Sequence, residues 1–143
     1  ISNNLDLPVK LAYTFSQSEF QNIFVSSFSQ WGRVEVGDEL PYLPEHQLSI
    51  EASLKAENWQ ASLLFKYVSE MSEAAGTNTE LEGVFSDELM QLDFSSWYQV
   101  NEQIKLYGKI DNITDEQVIV SRRPFGARPG KPRQAILGVK YSF

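Results

Sequence analysis

Six stretches of the chain alternate between apolar and polar positions. Val9, Leu11, Tyr13 and Phe15 stand against Lys10, Ala12 and Thr14. Leu48, Ile50, Ala52, Leu54 and Ala56 stand against Gln47, Ser49, Glu51, Ser53 and Lys55. Trp59, Ala61, Leu63, Phe65 and Tyr67 oppose Gln60, Ser62, Leu64 and Lys66. Met90, Leu92, Phe94, Ser96, Tyr98 and Val100 oppose Gln91, Asp93, Ser95, Trp97 and Gln99. Ile104, Leu106, Gly108 and Ile110 oppose Lys105, Tyr107, Lys109 and Asp111. The last run sets Ala135, Leu137, Val139, Tyr141 and Phe143 against Gln134, Ile136, Gly138, Lys140 and Ser142. A period of two predicts β-strands with one apolar and one polar face, and so an all-β, antiparallel fold of about six strands.

Charge sharpens this picture. None of the six apolar faces carries a charged residue, although 22% of the chain is charged. The opposite faces hold Lys10, Glu51, Lys55, Lys66, Asp93, Lys105, Lys109, Asp111 and Lys140. Connection lengths also alternate. Glu57-Asn58 and Asn101-Glu102-Gln103 are short turns, whereas Ser16 to His46, Ser69 to Leu89 and Val120 to Arg133 are long. Short turns on one rim and long loops on the other are the pattern of outer-membrane barrels, whose lipid face excludes charge at a cost of ~2–4 kcal/mol near the midplane. Aromatic residues gather near strand ends: Tyr13, Phe15, Trp59, Tyr67, Tyr98, Tyr141 and Phe143. Membrane–water interfaces favour such rings. No apolar run reaches the ~18 residues of a membrane helix, which leaves a barrel open. A soluble β-sandwich alternates in the same way but gives no reason for the asymmetry of loops.

Length and composition set further bounds. A chain of 143 residues is one domain or less. It begins at Ile1 and shows no signal peptide, so a processed protein or a piece of a longer one is expected. A net charge of −7 argues against nucleic acid as a partner. Cysteine is absent, which removes disulfide frameworks and thiolate metal sites. Six strands cannot close a barrel, since the smallest use ~8. An open sheet in lipid would leave two edges of unpaired backbone groups, so further strands are required.

The C-terminal third carries a specific series of motifs: Asp111-Asn112-Ile113 with Asp115, Ser121-Arg122-Arg123-Pro124, Gly126-Ala127-Arg128-Pro129-Gly130, Pro132-Arg133 and the terminal Tyr141-Ser142-Phe143. Upstream stands Gly37-Asp38-Glu39-Leu40-Pro41-Tyr42-Leu43-Pro44, followed by His46-Gln47-Leu48. In these the chain resembles the C-terminal part of the β-barrel of TonB-dependent outer-membrane receptors. The resemblance implies that residues 1–143 form the last six strands of a ~22-stranded transmembrane barrel with a plugged lumen. It implies a place in the bacterial outer membrane, in contact with lipid, with the rest of the barrel and with the plug. It also implies energised uptake of a ferric siderophore or similar iron chelate, with the TonB energy-coupling complex engaged through an N-terminal part outside this chain. No cofactor and no enzymatic chemistry are implied. The second reading is a small outer-membrane structural or pore-forming subunit that closes its barrel by association, and the third a soluble β-sandwich binding module.

Two groups of residues are candidates for function. Arg122, Arg123, Arg128, Lys131 and Arg133 form the one cationic cluster of an acidic chain, on the long-loop rim. Guanidinium groups pair with carboxylates in bidentate fashion, which suits capture of an anionic iron chelate. The alternative is that these side chains pair with acidic residues of neighbouring strands and hold the loop in place. Tyr141 and Phe143 lie on the apolar face of the last strand, and the resemblance implies that this strand is the signal read by the barrel-assembly machinery. An unpaired strand edge is physically able to pair with another sheet. His46 is the single histidine, too little for a metal cluster, and no nucleophile motif accompanies it. The Asp111-Asn112-Asp115 group lacks calcium-loop spacing and reads as a turn. Tyr42 and Trp31 sit in the first long loop, where they either meet ligand or pack on neighbouring loops.

Overall fold

The computed structural model describes residues 5–27, 32–75, 85–122 and 126–143. In chain order the strands are β1 (Val9–Phe15), β2 (Phe24–Val25), β3 (Arg33–Val34), β4 (His46–Lys55), β5 (Trp59–Val68), β6 (Leu89–Gln99), β7 (Ile104–Asp111), β8 (Ile119–Ser121), β9 (Arg128–Pro129) and β10 (Gln134–Tyr141). Six of them form one antiparallel meander in the order β1-β4-β5-β6-β7-β10. The pairs β2-β3 and β8-β9 are small ribbons within the first and third long loops. No helix occurs among the described residues.

Register decides which residues share a face, because directly opposed residues project to the same side of a sheet. Val9 pairs with Ala52, Leu11 with Ile50 and Tyr13 with Leu48. Ile50 then pairs with Phe65, and Phe65 with Leu92. Phe94 pairs with Ile110, and Ile110 with Ala135. The six apolar stripes therefore merge into one continuous uncharged face. The charged stripes merge on the other: Lys10 opposes Glu51, Ser49 opposes Lys66, and Lys66 opposes Gln91.

Burial runs opposite to that of a water-soluble protein. Leu11, Leu63, Leu106 and Val139 are exposed, and Leu137 is 89% exposed. Ser53, Ser62, Gln91, Asp93 and Asp111 are buried. Among the described residues the buried hydrophobic side chains are Val34, Ala74, Ala75 and Val118, all of them in or beside the long loops. A sheet with its apolar face bare and its polar face covered suits a wall with hydrocarbon outside and a polar interior. No second sheet covers the apolar face among the described residues, so a β-sandwich is not the architecture.

The short turns are built by local chemistry. Ala56 N–H donates to the Trp59 carbonyl at 2.9 Å and closes the β4–β5 hairpin. In the β6–β7 turn the Asn101 side-chain oxygen accepts from the amides of Gln103 (3.0 Å) and Ile104 (2.8 Å), as asparagine does in tight turns. The two turns are joined where Gln99 N–H donates to the Asn58 carbonyl at 2.7 Å. All long connections leave from the opposite rim. On the apolar face, Tyr13, Phe15 and Tyr67 form a row near the long-loop rim, and Trp59, Tyr98 and Tyr141 form one near the short-turn rim. At ~3.3 Å per residue, Trp59 and Tyr67 lie ~26 Å apart along β5. With the ~40° strand tilt of such barrels this is ~20 Å of height, close to an apolar band ~25 Å tall with aromatic girdles at its edges.

Candidate functional site

The long-loop rim is held by acidic side chains that receive the amides and cations of the loop after β7. Glu73, in the loop after β5, is only 1% exposed. Its two carboxylate oxygens accept from the Arg122 N–H at 2.7 and 2.8 Å. Asp87 accepts from the Arg122 Nη2 at 2.7 Å and from the Ile119 N–H at 2.7 Å. The Asp87 N–H returns a bond to the Ile119 carbonyl at 2.9 Å. The Arg122 Nη1 also donates to the Phe85 carbonyl. The Arg122 guanidinium, and after it the Ile119 amide, hold the Asp87 carboxyl below its ordinary range. Two loops far apart in sequence are thus joined as one body. The first long loop joins it where Tyr42 N–H donates to the Ser72 carbonyl at 2.8 Å.

A second network lies where the strands meet the loops. Asn112 adopts a left-handed backbone (φ 52°), which asparagine tolerates better than most residues. Its Oδ1 accepts from Glu116 N–H, and its Nδ2 donates to the carbonyls of Glu116 and Lys131, each at 2.9 Å. The Asp93 carboxylate accepts from the Asn112 N–H (2.9 Å), Gln91 Nε2 (2.6 Å) and Lys66 Nζ (2.9 Å). Asp111 pairs with Lys109 at 2.7 Å and with Lys131. Arg133 pairs with Asp115 at 3.4 Å.

The basic cluster can now be placed residue by residue. Arg122, Lys131 and Arg133 each stand against a carboxylate: Asp87, Asp111 and Asp115. Arg128 is exposed on β9. Arg123 lies outside the described residues, as does Trp31. Sequence reasoning missed Glu73 and Asp87, because their partners are 49 and 32–35 positions away and no local motif links them. At the opposite end of the sheet Tyr141 pairs with Ile104, and its ring centroid lies 6.0 Å from that of Phe143, which is fully exposed.

Two further features frame the rim. Glu39, Glu45, Glu70 and Glu88 line a cleft of about 660 Å³ together with Leu43, Tyr67, Met71 and Phe85. His46 Nδ1 lies 2.9 Å from the Tyr13 hydroxyl, and its ring packs on Phe15 at 5.3 Å between centroids. These contacts make His46 part of the upper aromatic row. No group of three His, Cys, Asp or Glu among the described residues is arranged to hold a metal ion.

The fold is that of a β-barrel wall: an up-and-down antiparallel meander, with one apolar and one polar side, tight turns on one rim and built-up loops on the other. Among solved structures the chain is similar to the ferric-catecholate import receptor Fiu from E. coli K12 in its closed form. The TM-score is 0.75 at 19% sequence identity, over 96% of this chain and 19% of that one. At this identity the likeness establishes the fold. The chain spans about a fifth of the length of the receptor it matches. No family model matches the sequence, and no curated protein matches it.

Proposed function

We propose that this chain is the C-terminal part of the β-barrel of a TonB-dependent outer-membrane receptor, and that the complete protein imports a ferric siderophore or similar iron chelate. The observation that carries the proposal is the continuous uncharged face across all six paired strands, left bare while Asp93, Asp111 and Ser53 are covered. Hydrocarbon is the solvent such a face suits. The structural likeness to an import receptor for ferric catecholates supports the same class. In this reading the chain is a transport component and not an enzyme. The energy-coupling complex engages a part of the protein outside it, and the plug, also outside it, meets the polar face of these strands. The free edges of β1 and β10 are completed by the strands the rest of the protein supplies, and the β10 edge with Tyr141 and Phe143 is what the assembly machinery meets first.

The basic loop from Arg122 to Arg133 is the proposed ligand-facing element of the rim. Ion pairing limits how it acts. Arg122, Lys131 and Arg133 would exchange Asp87, Asp111 and Asp115 for the carboxylate or catecholate oxygens of a ligand, a swap of one anion for another. In the complete protein, saturable quenching of tryptophan fluorescence by ferric catecholate or ferric citrate is expected, with weaker affinity in an R122A/R128A variant. Absence of quenching across ferric chelates of both kinds would remove the receptor reading. Unchanged affinity with lowered barrel stability would leave the loop a purely structural role.

A further inference from the structure

Alternation leaves one freedom open in a sheet of this kind. A slip of one residue between strands turns apolar side chains to the polar face, but a slip of two keeps both faces intact. Tight turns remove that freedom for β4–β5 and β6–β7. The other three pairs are joined by long connections and need a determinant inside the strands. In β1–β4, Lys10 stands opposite Glu51, with its Nζ 3.2 Å from the carboxylate. In β5–β6, Lys66 reaches Asp93 at 2.9 Å. In β7–β10 charge works the other way, because Lys105 directly opposes Lys140. Like charges so placed destabilise a strand pair. Lys105 is drawn aside to the Trp97 ring, 4.1 Å from its centroid. A slip of two residues in either direction would separate the lysines, setting Lys105 against Ser142 or Gly138.

Glycine supplies what charge does not. The six paired strands contain two glycines, Gly108 in β7 and Gly138 in β10. Each alone weakens its strand. They fall on neighbouring rungs of the same pair, each beneath a large side chain of the other strand. On the polar face Tyr107 opposes Gly138, and a Cβ built on Gly138 would run into Cζ, Cε2 and Oη of the tyrosine ring. On the apolar face Leu137 opposes Gly108, and a Cβ there would stand 3.1 Å from Leu137 Cδ2. The dipeptides Tyr107-Gly108 and Leu137-Gly138 thus interlock, large over small on both sides of the sheet. The tyrosine half is the firm one: its ring occupies the space a Cβ would take, whereas the exposed Leu137 has room to shift.

We propose that this interlock sets the register of β10 on β7, overriding the repulsion between the two lysines. A two-residue slip would put Tyr107 against Lys140 or Ile136, and Gly108 against Val139 or Ala135, so both large-over-small contacts are lost together. It would also move β10 by ~7 Å along the sheet. That displacement changes the stagger from which a barrel is closed, and with it the height at which the free edge of β10 meets its next neighbour. The inference goes beyond the transport reading and does not depend on it.

The test uses the complete polypeptide in outer-membrane vesicles, with cysteine pairs introduced across β7 and β10 and then oxidised. Leu106→Cys with Val139→Cys reports the observed register. Leu106→Cys with Tyr141→Cys reports one slip, and Ile104→Cys with Val139→Cys the other. With the interlock intact, the first pair is expected to cross-link and the other two are not. Tyr107→Ala and Gly138→Ala should each raise a slipped cross-link several-fold, and Gly138→Ala should also lower the folded fraction seen by heat-dependent gel shift. Tyr107→Phe keeps the ring and should match wild type. Y107A/G138A gives the added Cβ its space and should assemble better than G138A alone. In-register cross-links alone in both Y107A and G138A would overturn the proposal and hand the register to the Asp111–Lys131 join at the loop end. A double variant that assembles no better than G138A, or a G138A protein that assembles as well as wild type, would overturn it too.

Discussion

The two faces of this sheet are made of the same strands, yet they obey different solvents. On one face, Leu11, Leu63, Leu106 and Leu137 stand bare, with no charge beside them. On the other, Lys66, Asp93, Lys109 and Asp111 are paired, and the two carboxylates are covered. A water-soluble sheet would bury the first face and wet the second. The contrast teaches that exposure in an isolated wall says nothing until the medium on each side is known. In the proposed reading hydrocarbon completes the apolar side, and a barrel interior the polar side.

The largest expected effect comes from breaking the rule on the outer face. Leu137→Arg places a charge on the most exposed large side chain of that face within a strand. In a bilayer it should lower barrel stability by ~2–4 kcal/mol, read by chemical unfolding of the complete protein in lipid vesicles. A water-facing position would tolerate the same change to within ~0.5 kcal/mol, so a neutral result would undo the distinction between the faces. Next comes the inner face. Asp93→Ala leaves the Asn112 N–H and Lys66 without their acceptor, and Lys66 is partly solvated. A loss of ~2 kcal/mol is expected, together with faster hydrogen exchange at Asn112.

Gly108→Ala sharpens the comparison on the outer face without adding charge. A Cβ there would sit 3.1 Å from Leu137 Cδ2, so that leucine must shift slightly. A cost of ~1 kcal/mol or less is expected, because Leu137 is 89% exposed and free to move. The smallest effect belongs to the rim. The carboxyl of Asp87 titrates below the ordinary value of 3.8 in the folded protein. A group lowered in this way contributes stability that is present above its unfolded value and lost as pH falls through its folded one. Protection of the Ile119 amide, which donates to Asp87, should therefore hold from pH 7 to about pH 4 and weaken only below that. Weakening near neutral pH would mean that another group controls the join.

The two faces of each of the six strands were legible in the sequence, whereas the register that merges them into one face came from strand pairing. A run such as Trp59, Ala61, Leu63, Phe65, Tyr67 has only two ways to face. The turn at Asn112 was legible too, since Asp and Asn at 111, 112 and 115 favour left-handed backbone. The β2-β3 and β8-β9 ribbons were not: two-residue strands carry no periodic signal. Arg122 illustrates the boundary. Its place in a basic loop is a fact of sequence, but its attachment to Glu73 and Asp87 is not.

Alternation and loop length are local properties. They record what medium each side of each strand must meet, and they settled the strands, the two faces and the two rims of this chain. Partnership between distant residues is different, because nothing near Lys140 in the sequence says that it will stand opposite Lys105, and nothing near Glu73 says that it will receive Arg122. Only the pairing of β7 with β10, and the folding of one long loop onto another, brought those groups together, since their contact depends on chain geometry summed over dozens of residues.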